Sequence, residues 1–92
     1  MKATKYFQIA KKENSFSENL ELAKEQGFTH IFMWINSDLE WTFFAKSLEE
    51  AEQSAIELYM SEKKSGKEQA SEYYPEAIDI YGIEEYLEIV NS

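Results

Sequence analysis

Few side chains in this 92-residue chain are equipped for covalent chemistry, and their spacing limits what they could do. His30 is the only imidazole, cysteine and arginine are absent, and the glycines Gly27, Gly66 and Gly82 stand apart from one another. A lone histidine with no second His or Cys does not complete a zinc site, and no partner for a nucleophile–base pair is signposted around it. Without cysteine there is neither a disulfide framework nor a thiolate site. No nucleophile elbow, phosphate loop or dinucleotide fingerprint occurs. Carboxylates are plentiful, with 18 acids against 9 bases, so a general acid and base are available by type. Acid catalysis, however, needs one carboxyl desolvated enough to raise its pKa, and nearly all fall on the polar faces of expected helices. Asp38 and Glu40 flank a turn but lack a calcium-loop pattern. The expectation is a protein that is not an enzyme and holds no metal or cofactor.

What rises above background is the placement of charge. Residues 1–12 carry four lysines and no acid; Glu13 to Glu62 carry eleven acids and two lysines; Glu68 to Ser92 carry seven acids and no base. The formal charge is -9 and every base is a lysine. The planar guanidinium fork that suits phosphate and guanine is missing, and a field of this sign repels nucleic acid and attracts cationic surfaces. On the expected last helix Glu84, Glu85 and Glu88 repel one another at helical spacing. On the expected second helix Glu50 and Glu57 share an azimuth and lie roughly 10 Å apart. With Glu72, these are the candidate partner-binding acids, standing where phosphates stand on DNA. A charge run usually means a solvated face that keeps a small domain soluble. Solubility would be served as well by mixed charge, whereas carboxylates fixed on helices can imitate a duplex, which presents one charge per roughly 1.7 Å of axis. Tyr59, Tyr73, Tyr74, Tyr81 and Tyr86 lie among the acids and would serve as interface anchors.

The elements that must position these residues read as one α+β domain spanning 1–92, a size that supports a single core. The chain is organised around Thr29–Ala45, two aromatic-rich strands meeting at Asn36-Ser37-Asp38. Lys5–Ala10 alternates as a first strand. Ser15 and Glu18 have capping-box spacing, Phe16, Leu20 and Ala23 form a buried stripe, and Gly27 is a left-handed stop. Ser47 and Glu50 start a second helix in the same way, with Leu48, Ala51, Ala55, Leu58 and Tyr59 on one face, running to about Lys64. Lys67–Tyr74 predicts a short helix stopped by Pro75. Ala77–Tyr81 alternates as a strand, and Ile83, Tyr86, Leu87 and Val90 give a last helix. The order is βαββαβ, ferredoxin-like, with a small mainly antiparallel sheet and a C-terminal helix. The alternative is a three-stranded sheet with a wholly helical last third.

In that arrangement the two main helices cover one sheet face and leave the other open. Phe7, Ile9, Ile31, Met33, Ile35, Trp41 and Phe43 are assigned to the covered face. Tyr6, Gln8, His30, Phe32, Trp34, Thr42 and Phe44 form the other, which the C-terminal segment or a second subunit must cover. Phe32, Trp34 and Phe44 are accordingly the expected contact of a homodimer. The start MKATKYFQIAKK lacks a signal-peptide core and no run approaches a membrane span, so the expected location is cytoplasmic.

Two stretches, GFTHIFMWINSDLEWTFFAKSLEEAEQSAIELY and EYYPEAIDIYGIEEYLEIV, carry a family resemblance. The chain resembles the small acidic DNA-mimic proteins that phages make, in particular the anti-restriction nuclease (Arn) type of T-even phages. The resemblance spans most of the chain in length and in lysine/glutamate/aromatic style, without a diagnostic motif. It implies a dimeric mimic of the phosphate backbone, in the host cytoplasm, that occupies the basic DNA cleft of a restriction endonuclease complex or nucleoid protein. The alternative function is a ferredoxin-like adaptor that recruits a protein through its aromatic sheet face or edge, with the acids only solubilising.

Overall fold

The computed structural model describes residues 4–5, 15–37 and 41–91, the side chains of 4, 5, 90 and 91 excepted. In chain order the elements are β1 (Thr4–Lys5), α1 (Phe16–Glu25), β2 (His30–Trp34), β3 (Phe43–Ala45), α2 (Leu48–Lys63), α3 (Lys67–Ala77), β4 (Ile78–Gly82) and α4 (Ile83–Asn91). The fold is α+β. Three antiparallel strands in the order β3-β2-β4 make up most of the sheet, and the two-residue β1 adds to the free side of β3. The remainder of the expected first strand, Tyr6–Ala10, lies outside the described residues, as do Asp38, Leu39 and Glu40 of the expected hairpin turn.

Of the two capping boxes expected, the one at Ser15 forms; at α2 Ser47 Oγ caps Glu50 N, but the Glu50 carboxylate accepts from Lys46 N, one residue before the cap, in place of Ser47 N. Ser15 Oγ accepts from Glu18 N at 3.2 Å, and Glu18 Oε1 accepts from Ser15 N at 2.8 Å, a complete capping box. At the other end of α1, Gly27 takes φ +94°, Gly27 N donates to Lys24 O, and Phe28 N donates to Ala23 O at 3.0 Å. This is a Schellman closure, and it drops Phe28 into the core as β2 begins. α3 departs from expectation. Pro75 lies inside it and the helix continues to Ala77. Ser71, whose carbonyl loses its donor at Pro75, is exposed, so water can take that group, and Ile78 N closes the end on Tyr74 O.

Two cores form, one on each side of the sheet. Leu20 and Ala23 of α1, Phe28, Ile31, Met33, Phe44, and Ile83 and Leu87 of α4 make the first. Phe32, Ala45, Ala51 and Ala55 of α2, and Ile78 make the second, with Trp34, Phe43, Leu58, Tyr59 and Tyr74 packed against it. The arrangement is therefore three layers: α1 and α4, then the sheet, then α2 and α3. The expectation of an open sheet face is corrected by this. Strand order supplies the reason. β4 pairs with β2, so β3 and β4 flank β2 just as β1 and β2 flank β3. Two right-handed crossovers that step the same way across strands of opposite direction must lie on opposite faces.

The expected division of residues between the faces is corrected as well. Ile31 stands opposite Phe44 and Phe32 opposite Phe43. Cross-strand partners share a face, so Phe44 joins Ile31 and Phe43 joins Phe32, the reverse of the parity assumed across the turn. Ile35 and Trp41, placed in the core by alternation, are 42% and 46% exposed and lie outside the strands, Ile35 just after β2 and Trp41 two residues before β3. Leu48, expected on the buried face of α2, is 49% exposed, while Glu50 and Ala51 of the same turn are the buried ones.

Candidate functional site

The six acids singled out by sequence do not gather. Glu57 on α2 and Glu72 on α3 are exposed on one layer, whereas Glu84, Glu85 and Glu88 on α4 are exposed on the opposite one. Glu50 is not a surface acid at all. Only 6% exposed, it folds back so that Oε2 accepts from Lys46 N at 2.8 Å, while Ser47 Oγ accepts from Glu50 N at 3.1 Å. One carboxylate oxygen serves the start of α2 and the other is buried without a hydrogen-bond partner, which corrects its assignment as a surface, phosphate-like position.

The expected dimer contact is corrected by the same kind of observation. Phe32 is 1% exposed and Phe44 is fully buried, on opposite faces of the sheet. Phe32 stacks on Phe43 with ring centroids 5.2 Å apart, and Phe44 meets Phe28 at 5.8 Å. Trp34 is half-buried beside Tyr59, with Lys63 Nζ 5.6 Å from its ring centre. None of the three presents the bare aromatic face that a second subunit would need.

A coherent charged surface is found where α1 packs on α4. Phe16 and Tyr86 join the two helices edge to face at 5.7 Å. With Leu20, Ala23, Ile83 and Leu87 turned to the sheet, Glu18, Glu21 and Glu25 of α1 and Glu84, Glu85 and Glu88 of α4 are all left exposed. Glu18, Glu21 and Glu25 follow the i, i+3, i+7 spacing that keeps side chains on one helical face, over roughly 10 Å of axis.

Lys24 is the only described base on these two helices, and it lies between them. Its Nζ is 3.4 Å from Glu21 Oε1 and 3.4 Å from Glu84 Oε1. Desolvation alone would lower the Lys24 pKa, but hydrogen bonds and charge from Glu21 and Glu84 together outweigh it and hold the ammonium above its ordinary value. The opposite layer is mixed, since Lys63, Lys64 and Lys67 stand among the acids of α2 and α3.

Sequence reasoning missed the three α1 glutamates. Their spacing was legible, but the packing of α1 beside α4, some sixty residues later in the chain, was not. Capping moderates two of the six. Ser15 holds Glu18 through its backbone N–H first and its hydroxyl interaction second, which lowers the carboxyl pKa. Gly82 N donates to Glu85 Oε1 at 3.4 Å.

His30 does not sit in a reactive cluster. Its Nδ1 is 2.8 Å from Thr29 Oγ1, and among the described residues no group of three or more His, Asp or Glu side chains could hold a metal ion. No described helix is long and apolar enough to cross a membrane. No protein-family model, no curated protein and no solved structure matches the chain.

Proposed function

We propose that this chain is a non-enzymatic inhibitor of the DNA-mimic, anti-restriction type, which occupies the basic DNA-binding surface of a restriction endonuclease complex or a nucleoid protein. It would be a phage product at work in the host cytoplasm. One observation carries the reading: α1 and α4 together expose six glutamates with a single lysine between them, on two helices braced against one sheet. Helical carboxylates on a stiff layer keep their spacing without the partner, which lowers the ordering cost of association. A surface of one sign also speeds encounter with a basic cleft and makes binding steeply salt-dependent.

For the scaffold, we keep the ferredoxin-like reading in an interleaved form. The split units β1-α1-β2 and β3-α2-α3-β4 support it, although the second ends at the β2 edge of the sheet. The adaptor reading has less support from the sheet face, where α2 and α3 pack over Phe32, Phe43 and Trp34.

The test compares two neutralised forms. Glu21→Gln, Glu25→Gln, Glu84→Gln and Glu88→Gln neutralise four of the six glutamates of the α1/α4 layer, sparing the cap-bonded Glu18 and Glu85, and Glu57→Gln, Glu62→Gln, Glu68→Gln and Glu72→Gln neutralise four on the other layer. Proteins captured from a bacterial lysate by the unaltered chain are challenged with free duplex and rising salt. The reading expects a DNA-binding protein that duplex displaces, lost with the first variant and kept with the second. Equal loss with both variants, or capture indifferent to duplex, would overturn it.

A further inference from the structure

Among the described residues β4 has a neighbour on one side only. It pairs with β2 in the register Met33↔Asp79 and Ile31↔Tyr81, and no described strand lies beyond it. The flanking bonds fix which groups point outward. Ile83 N donates to Thr29 O at 2.8 Å and Ile35 N donates to Ala77 O at 2.9 Å, so the odd-numbered residues of β4 face β2. By the alternation of an antiparallel ladder, the backbone groups of Ile78, Ile80 and Gly82 face away. Ile78 N is taken by Tyr74 O and Gly82 N by Glu85 Oε1. The N–H and C=O of Ile80, at the middle of the strand, have no partner among the described residues.

This open edge runs through the most one-sided part of the chain. Glu76 precedes it, Asp79 lies in it, Glu84 and Glu85 follow it, and no base occurs from Glu68 onward. At its Gly82 end is a cavity of about 460 Å³ whose lining includes Phe28, Ile83, Glu84 and Glu85. Thr29 and His30, on the β2 side, line it as well; Phe28 and Ile83 can hold the stem of a lysine or arginine side chain and Glu84 and Glu85 its charged head. Lys24 also reaches this cavity, but its charge is already matched by Glu21 and Glu84.

We propose that the free edge of β4 accepts an extended lysine- or arginine-bearing segment of a partner protein as an added antiparallel strand, held by the Ile80 backbone and the surrounding carboxylates. Strand addition of this kind takes affinity from the main chain and selectivity from alternate side chains. A basic residue of the incoming strand on the same face as Asp79 would come within reach of its carboxylate. Pairing of two β4 edges from two copies is disfavoured, because each would present the same acidic segment, and the net charge of -9 on each copy opposes their approach. The inference shares with the mimic reading only the cationic nature of the partner.

The experiment uses the full chain, labelled with 15N, and two synthetic peptides. One alternates lysine and valine over eight residues; the other is N-methylated at its two central residues, which spoils both strand edges at unchanged charge. The first peptide is expected to slow solvent exchange of the Ile80 amide at least tenfold and to bind at least tenfold more tightly than the second. Ile80→Pro, which removes an outward N–H while leaving the ladder to β2 intact, should abolish the difference. Circular dichroism establishes that this variant is folded, and the two-peptide comparison on the unaltered chain decides if it is not. Equal binding of the two peptides, or unchanged exchange at Ile80, would overturn the proposal. So would protection of Ile80 that rises with protein concentration in the absence of peptide, which makes a second copy the occupant. If the peptide arm succeeds while no DNA-binding protein is displaced by duplex, the edge site stands and the mimic reading falls.

Discussion

Glu50 and Ser47 together carry the first turn of α2, and their removal should be felt at equilibrium. Glu50→Ala deprives Lys46 N of its acceptor at 2.8 Å in a part-buried setting. A buried donor left unsatisfied costs about 1–3 kcal/mol, so the urea midpoint should fall by that equivalent with an unchanged slope. Glu50→Gln retains an acceptor and should cost less. Ser47→Ala should cost about 1 kcal/mol, the usual loss on removing an N-cap hydroxyl. Glu18 makes a prediction about pH. Its folded pKa is lowered by the Ser15 backbone and hydroxyl contacts, so its contribution is present above the ordinary carboxylate value and is lost as pH falls through the lower folded one. Titration of the Glu18 carboxyl by NMR should show the depressed value in the intact chain and only a partial return in Ser15→Ala, which removes the hydroxyl but keeps the backbone N–H that is the larger cause. Lys24 has the opposite sign. Its contribution is whole below the ordinary lysine value and fades as pH rises through the raised one.

The elements are set by their ends more than by their middles. α1 closes on Gly27 at φ +94°, and a methyl group built there meets nothing within 4 Å. Gly27→Ala is therefore a test of backbone strain alone, and about 1–2 kcal/mol should be lost in thermal or chemical unfolding, the cost of holding a side-chain-bearing residue in the left-handed region. Loss of less than a few tenths would mean that the turn relaxes. Ser15, Glu18, Gly27 and Ser47 were legible in the sequence because a cap is a local device, satisfied within three or four residues. Pro75 misled for a related reason. Proline forbids one hydrogen bond, but an exposed last turn tolerates that loss, and exposure is not a local property.

For the molecule as a whole, the two-sided core decides what aromatic substitutions do. Phe32 and Phe44 belong to opposite cores, so Phe32→Ala and Phe44→Ala should each destabilise the protomer by about 3–5 kcal/mol, and by nearly additive amounts. Urea unfolding with sedimentation at several concentrations separates this from a subunit contact. A variant that stays fully folded but changes its state of association would contradict the burial assigned to it. The tyrosines near the acids illustrate the electrostatic setting. Tyr81 is raised above its ordinary pKa by desolvation first, and then by Asp79, Tyr86 and Glu85. It should stay a neutral hydrogen-bonding group further into alkali than an exposed tyrosine does. Tyr74 is raised too, by burial and Glu52, so an ultraviolet titration of Tyr81→Phe against the unaltered chain should lose one alkaline-shifted component and keep another.

By itself the sequence determined the helix caps, the strand-rich centre, the segregation of acids from lysines and the absence of arginine. Each is a matter of residue type or of neighbours a few positions apart. Only the tertiary structure decided that β4 would pair with β2. That one pairing sends the second crossover to the far side of the sheet, buries Phe32 and Phe44 in separate cores, and divides the six candidate acids between opposite layers. It also brings α1 beside α4, so that Glu18, Glu21 and Glu25 join Glu84, Glu85 and Glu88. Strand order is a choice among long-range pairings of similar local quality, and the packing of whole layers, which no short window of sequence contains, settles it.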